Sequence, residues 1–221
     1  CVAVMMEFDQ GKFALDDPIS KFIPSFKNPR VLDKFNKKDS TYTTKPANRE
    51  ITIRDLLTHT SGIKNHFDLG SYKPDLTNKE AFELLVKQKK PAFKPGTKYE
   101  YSNGGYVLLA MIVEKVSGKP FHVFMREHIF EPLGMQHTLV LDESLPEIPN
   151  KAIGHNIIKD VYNHRILTAG DAGMYANVGD LYLWDRALKE EKLVSKTTLN
   201  KAFTKGPVII HQWHPNPRIG I

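Results

Sequence analysis

One segment of this chain, residues 106–116, is apolar almost all round and is followed directly by Ser117-Gly118. A helix that is apolar on every side must be buried among other elements, and a glycine just after the last apolar residue is a common helix end. The sequence therefore predicts one buried central helix, and the remaining elements must pack around it.

A polar turn leads into this helix. Pro95-Gly96 marks the turn, and Asn103 belongs to the residue types that cap helices well. We expect Asn103 to be the N-cap and Tyr101 to lie just outside the helix. A tyrosine and an asparagine held one residue apart at that place can share one bound group. From the spacing alone, the simpler interpretation is that Asn103 only caps and Tyr101 only packs.

Composition bounds the class of protein. The chain has 221 residues, of which 41% are apolar and 25% are charged, which is typical of one globular domain with a real core. The net charge of +6 could suggest nucleic acid as a partner, but the lysines are scattered and the longest basic pairs, at 37–38 and 89–90, are short. A nucleic-acid partner is therefore not expected. No apolar run approaches the roughly 20 residues that span a bilayer.

Other periodic or capped segments predict further elements on both sides of the central helix. Expected helices are residues 2–8, 19–22, 52–59, 78–89, 120–129, 180–188 and 195–203, with Asp180 as the cap of the helix at 180–188 and Leu181 facing inward. Candidate strands are residues 138–141, 152–158 and 165–168, the last two joined by a turn at 160–163. Residues 27–49 are polar without a sustained period, and we expect them to form a long surface excursion.

Several longer motifs occur together and in a fixed order. They are FKPGT at 93–97 with Tyr101, Asn103 and Tyr106, IRDLLTHTSG at 53–62, PLGM at 132–135, and AGMY at 172–175 with Asp180, Leu181 and Trp184. Together they resemble the serine beta-lactamase-related family, which includes class C beta-lactamases, DD-peptidases and esterases. The resemblance runs from near the start of the chain to about Phe203.

The resemblance implies an α+β class and a helix-rich fold of the beta-lactamase/DD-peptidase type, with the helical subdomain largely present and the antiparallel sheet incomplete. Residues 1–221 are expected to be one incomplete domain, with 204–221 as an irregular tail. The family's Ser-x-x-Lys nucleophile would lie roughly two helical turns before Cys1, and its third motif, Lys-Thr-Gly or His-x-Gly, is not found after Phe203. The chain therefore resembles the middle of an enzyme.

By the same resemblance, Tyr101 and Asn103 form the second catalytic motif. The motif lysine and Tyr101 would move the proton of the nucleophile, and Asn103 would orient the substrate and the lysine. The substrate would be a beta-lactam, a peptidoglycan peptide or a simple ester, with no cofactor and no metal, in an exported protein. The alternative is a non-catalytic binding relative or an inactive fragment of that family.

Two other places match the catalytic patterns. Ser61-Gly62-Ile63-Lys64 is the only Ser-x-x-Lys in the chain, but the glycine after Ser61 should break the helical turn that the mechanism needs. Tyr175-Ala176-Asn177 is a second Tyr-x-Asn, but it lacks the Pro-Gly-Thr turn. His59 is interpreted as a hydrogen-bonded structural histidine, Cys1 as a core residue without a lysine partner, and the two histidines at 211–214 as too isolated for a metal site.

Overall fold

The computed structural model describes residues 1–36, 38–39, 41–69, 73, 75–88, 93–145, 148, 150–155, 165–204 and 206. Its helices are α1 (Val2–Asp9), α2 (Ile53–Leu57), α3 (Asn78–Lys87), α4 (Asn103–Ser117), α5 (Phe121–Met125), α6 (Glu131–Leu133), α7 (Val178–Lys189) and α8 (Lys196–Phe203). A π-helical turn, Arg126–Phe130, joins α5 to α6, and short 3₁₀ turns occupy Ile19–Lys21, Pro24–Phe26 and His66–Asp68. The strands are β1 (Arg30–Phe35), β2 (Tyr42–Pro46), β3 (Leu139–Val140) and β4 (Met174–Tyr175).

Helix α4 is the buried centre of the fold, as its sequence predicts. Helices α1, α2, α3 and α5 all pack against it, and four of its side chains have no exposed surface: Val107, Leu108, Ile112 and Val113. The helix ends at Gly118, whose φ of 71° is the left-handed conformation that glycine adopts without a steric cost.

The N-cap of α4 is Ser102, so the assignment of the cap to Asn103 is wrong by one residue. The Ser102 hydroxyl accepts the backbone N–H of Gly105 at 3.1 Å, and Ser102 has an extended backbone with φ −142° and ψ 113°. Serine and asparagine are equally good caps, and the backbone of the preceding segment decides which of them takes the position. Tyr101 lies outside the helix, as predicted.

The polar stretch at 27–49 contains a β-hairpin that the sequence did not predict. Strands β1 and β2 pair antiparallel from Arg30 opposite Pro46 to Phe35 opposite Tyr42, with an irregularity in the register between Leu32 and Lys34. Polar side chains also pair across the two strands: the amine of Lys45 donates to a carboxylate oxygen of Asp33 at 2.6 Å. The expectation of a long surface excursion missed the two strands, because this segment lacks the sustained alternation of apolar and polar residues by which strands are found.

The second sheet is also small. Strand β3 pairs antiparallel with β4, which confirms a shortened form of the strand predicted at 138–141. The segments 152–154 and 165–168 belong to no strand, so those predictions were wrong where the structure describes them. Residue 155 forms only an isolated bridge, and the rest, including the turn at 160–163, lies outside the described residues.

The N-cap of helix α7 lies three residues earlier than predicted. The side chain of Asn177 accepts the backbone N–H of Asp180 at 2.7 Å and is the cap. Asp180 instead accepts bonds from the backbone N–H of His137 at 2.8 Å and from the Thr138 hydroxyl at 2.7 Å. This link ties α7 to the entry of β3. Leu181 is 47% exposed rather than turned inward.

The helix-rich α+β class is confirmed. Among the described residues the strands form two two-stranded antiparallel sheets and no larger sheet. Within the same residues, no helix has the length and apolar character needed to cross a membrane. The tail at 204–221 and its two histidines lie almost wholly outside the described residues, so their interpretation stays a prediction.

Candidate active site

A capping box holds the start of α2. The Thr52 hydroxyl accepts the backbone N–H of Asp55 at 3.2 Å, and the Asp55 carboxylate accepts the backbone N–H of Thr52 at 2.9 Å. The same carboxylate is buried and binds both terminal nitrogens of Arg49, at 2.5 and 2.8 Å. It also accepts a bond from the Thr60 hydroxyl at 3.2 Å. Asp55 therefore links Thr52, directly before α2, to Thr60, which follows α2.

The segment that carries Tyr101 is fastened along the residues that follow α2. Gly96 donates its backbone N–H to the carbonyl of Thr60 at 2.8 Å. Glu100 donates to the carbonyl of His59 at 2.9 Å. The polar turn is therefore attached to the end of α2 before the chain enters α4.

Tyr101 and Asn103 lie at the solvent-facing start of α4. The side chain of Tyr101 is 55% exposed, and Asn103 is half-buried. The backbone N–H of Asn103 donates to the side-chain oxygen of Asn65 at 2.6 Å. A molecule in solution can therefore reach Tyr101, beside a helix whose position is fixed by packing. Their role in binding or catalysis stays a prediction.

His59 lies against three tyrosine rings. Its ring centroid is 4.5 Å from that of Tyr101, 5.0 Å from that of Tyr106 and 5.8 Å from that of Tyr99. Its Nδ1 accepts the backbone N–H of Ser102 at 3.2 Å, which agrees with the interpretation of a hydrogen-bonded histidine. Burial lowers the pKa of His59 and raises the pKa of Tyr106.

The alternative Ser-x-x-Lys does not form a catalytic pair. Ser61 is only 2% exposed, and its hydroxyl accepts the backbone N–H of Ile63 at 3.2 Å. Gly62 has a left-handed φ of 75°, which ends helical geometry directly after Ser61. Lys64 is exposed. The buried serine and the exposed lysine do not share one face of a helical turn.

The alternative Tyr-x-Asn has a different structural setting. Tyr175 is half-buried in β4, with the amine of Lys151 lying 5.7 Å from its ring centre. Asn177 uses its side-chain oxygen to cap α7. This tyrosine and asparagine therefore stand at the end of a short strand and the start of a surface helix.

A buried polar pair was missed by the sequence analysis. His66 has no exposed surface, and its Nε2 lies 3.9 Å from an oxygen of Asp171, whose side chain is also buried. Burial lowers the pKa of His66 and raises the pKa of Asp171, because it disfavours the charged form of each. His66 follows Asn65, which binds the start of α4. No local pattern links residues so far apart in the sequence.

The described residues contain no group of three or more histidine, cysteine, aspartate or glutamate side chains placed to hold a metal ion.

Most of the sequence matches the model of one known family. The beta-lactamase family model matches residues 1–209. This chain belongs to the beta-lactamase family.

Individual members of the beta-lactamase family agree with this match. A putative penicillin-binding protein of Bacillus subtilis is 29% identical over 209 residues, which are 92% of this chain and 47% of that protein. A D-aminopeptidase of Brucella anthropi is 30% identical over 176 residues, 74% of this chain and 32% of that protein. The chain therefore spans half or less of the length of these curated relatives.

A solved structure extends the comparison to the fold. The octameric penicillin-binding protein homologue from Pyrococcus abyssi superposes with a TM-score of 0.73 at 26% identity, over 96% of this chain and 47% of that one. The helix-rich fold of this chain is therefore similar to the fold of that penicillin-binding protein homologue.

Proposed function

We propose that Tyr101 and Asn103 are the second catalytic motif of a serine acyl-transfer site, and that a Ser-x-x-Lys segment preceding Cys1 supplies the nucleophile. The observation that carries this proposal is the placement of Tyr101. Its side chain is 55% exposed, although the chain on both sides of it is fastened to the protein by backbone hydrogen bonds. A reactive group needs this combination of access to substrate and fixed position.

The proposed reaction has two steps. The serine hydroxyl attacks the substrate carbonyl and passes its proton through Tyr101 and the motif lysine to the leaving group, which departs and leaves an acyl-serine. Water then attacks the acyl-serine and releases the acid. A free tyrosine has a pKa of about 10, so a tyrosine in this role accepts a proton near neutral pH only beside a cation, which the motif lysine would provide. Asn103 would orient the substrate amide through its side-chain amide.

The proposed substrates are carbonyl compounds of the kind that the relatives' names indicate. A penicillin-binding protein and a D-aminopeptidase both point to peptide or amide bonds, including those of peptidoglycan. A beta-lactam and a simple ester are the further candidates. Peptidoglycan lies outside the cytoplasmic membrane, so the proposed protein is exported.

A non-catalytic binding relative is the second candidate. The observation in its favour is that the only Ser-x-x-Lys among the 221 residues is the one at Ser61, whose hydroxyl is buried. The gene sequence upstream of Cys1 separates the two candidates. We expect a Ser-x-x-Lys with its serine roughly two helical turns before Cys1, and a continuous coding sequence without it would favour the binding relative.

A matched pair of variants then tests the assignment of Tyr101. In a protein that carries this chain behind the Ser-x-x-Lys segment, Tyr101→Phe should lower turnover of an amide or beta-lactam by about a hundredfold or more, the range for losing a proton-transfer group. Tyr175→Phe, which removes the hydroxyl from the other Tyr-x-Asn, should leave turnover within about twofold. The opposite ranking would assign the motif to Tyr175.

A further inference from the structure

We propose that His59 is a positioning residue for Tyr101, and that it acts through three contacts that surround this tyrosine. The inference rests on the proposed function only for its catalytic consequence. The contacts themselves are properties of these 221 residues and can be measured without turnover.

The two residues that flank Tyr101 both donate their backbone N–H to His59. Glu100 donates to the His59 carbonyl at 2.9 Å, and Ser102 donates to the His59 ring nitrogen Nδ1 at 3.2 Å. One residue therefore fixes the chain immediately before and immediately after Tyr101. Two backbone bonds of this kind set the direction in which the Cα–Cβ bond of Tyr101 points.

The third contact acts on the side chain itself. The rings of His59 and Tyr101 lie 4.5 Å apart with an angle of 33° between their planes, and His59 also stacks on Tyr106 at 5.0 Å and 23°. The Tyr106 hydroxyl donates to the carbonyl of Leu57 at 3.2 Å, so this second ring is anchored to α2. His59 therefore packs against both the anchored ring of Tyr106 and the exposed ring of Tyr101, and so restricts the positions open to the ring of Tyr101. An exposed tyrosine without such a contact would exchange between rotamers.

The backbone of His59 is held in an uncommon conformation. Its φ is 55°, in the left-handed region that residues other than glycine seldom occupy, although asparagine and histidine are among those that do. Such conformations persist where the surrounding bonds determine them, and they concentrate at functional sites. Here the conformation presents both the carbonyl and Nδ1 of His59 to the same neighbouring segment.

The bond from Ser102 also fixes the chemical state of the ring. Because Nδ1 accepts a backbone N–H, the proton of the neutral imidazole must be on Nε2. Burial favours this neutral form, since it lowers the pKa of His59. With its unprotonated nitrogen already occupied by Ser102, His59 is not available as a base, and its contribution to catalysis is through the position of Tyr101.

Two variants separate the hydrogen bond from the stacking. In His59→Asn the side-chain oxygen stands where Nδ1 stood, asparagine tolerates the left-handed backbone, and the ring is lost. In His59→Gly the backbone conformation is relaxed, and both the acceptor and the ring are lost. Comparison of the two variants therefore assigns each effect to one contact.

The experiment is NMR on the isotope-labelled 221-residue chain. We expect the Nδ1 resonance of His59 to be that of an unprotonated nitrogen, and the Tyr101 ring protons to lie upfield of those of Tyr182, an exposed tyrosine that serves as internal reference. His59→Asn should keep the Ser102 amide protected while the upfield shift of Tyr101 disappears. His59→Gly should also speed exchange of the Ser102 amide by about tenfold. Unchanged exchange at Leu108 shows that the core is intact.

Two results would overturn the proposal: an Nδ1 that carries a proton, or a Tyr101 ring shift that is the same in wild type and both variants. In a form of the protein with turnover, His59→Asn should lower kcat by about ten- to a hundredfold with KM within about twofold, because the tyrosine is displaced rather than removed. If the NMR result holds but Tyr101→Phe leaves turnover intact, positioning stands and the proposed function fails. If the NMR result fails while Tyr101→Phe abolishes turnover, the proposed function stands and the positioning role of His59 fails.

Discussion

Replacement of Gly96 by alanine tests how the polar turn is attached to α2. Gly96 has a φ of 78°, and a Cβ built on it would lie 2.3 Å from Nη2 of Arg49, well inside contact distance. Arg49 is the partner of the buried Asp55 carboxylate. A methyl group at this position therefore has to displace the guanidinium from Asp55.

The expected cost has two parts. Alanine in the left-handed conformation costs about 1–2 kcal/mol relative to glycine. Displacement of Arg49 leaves the Asp55 carboxylate, 5% exposed, without its cation. Breaking a buried pair costs roughly 3–5 kcal/mol. Because Arg49 is 40% exposed and Asp55 keeps its bonds to Thr52, we expect about 1–3 kcal/mol here. The total loss of unfolding free energy is then about 2–5 kcal/mol.

Gly118→Ala is the matched control, because Gly118 has a φ of 71° and a Cβ there would meet no atom within 4 Å. Urea unfolding of both variants should show Gly96→Ala losing about 1–3 kcal/mol more than Gly118→Ala. The excess should disappear when both are made in an Arg49→Ala background, since the displaced group is then absent. Equal losses for the two glycines in the wild-type background would refute the account of the turn.

The link between α7 and β3 gives a second prediction: Asp180→Ala should lower the unfolding free energy by about 1–3 kcal/mol, because the N–H of His137 and the Thr138 hydroxyl lose their acceptor. Asp185→Ala, on the exposed face of the same helix, should change it by less than about 0.5 kcal/mol, and similar losses in thermal melts would contradict the assignment. A third prediction concerns pH. Burial lowers the pKa of His59 in the folded protein. Below the ordinary histidine pKa of about 6.5 the unfolded chain therefore binds more protons than the folded protein, and His59 makes the unfolding free energy fall as the pH falls from there towards the folded pKa. Above about pH 6.5 the ring is neutral in both states, and His59 has no effect on the pH dependence. His59→Asn should reduce this slope, which for one group is at most about 1.4 kcal/mol per pH unit, in urea melts at pH 7.5 and 5.5; an unchanged slope would contradict the burial of a neutral ring.

The elements that could be predicted from the sequence are those whose own residues determine whether the element is buried or exposed. Residues 106–116 are apolar almost all round, and a helix of this kind must be buried, so α4 was predicted as a buried helix. The N-caps of α4 and α7 could not be assigned from residue type, since Ser102 and Asn103 are equally suited to cap a helix, as are Asn177 and Asp180. Backbone direction and distant acceptors decide between such neighbours.

The parts that could not be predicted depend on contacts between distant segments. The hairpin of β1 and β2 is held by backbone pairing between two segments and by the contact of Lys45 with Asp33, and its sequence has no sustained periodic signal. The pair of His66 and Asp171 exists only because the loop before β4 returns to the start of α4. Tyr101 was placed correctly because its surroundings are local: a turn before it and a buried helix after it.

The most direct test of the account is mass spectrometry of the 221-residue chain after incubation with a chromogenic beta-lactam and with a p-nitrophenyl ester. We expect no stable acyl adduct, because the only Ser-x-x-Lys serine, Ser61, is 2% exposed and accepts a bond from Ile63, and a phenol that no cation activates is a poor nucleophile at pH 7. A covalent mass gain on Ser61 or on any other residue of the chain, with turnover lost when that residue is replaced, would contradict the assignment of the site to Tyr101 and Asn103 acting with a separate serine.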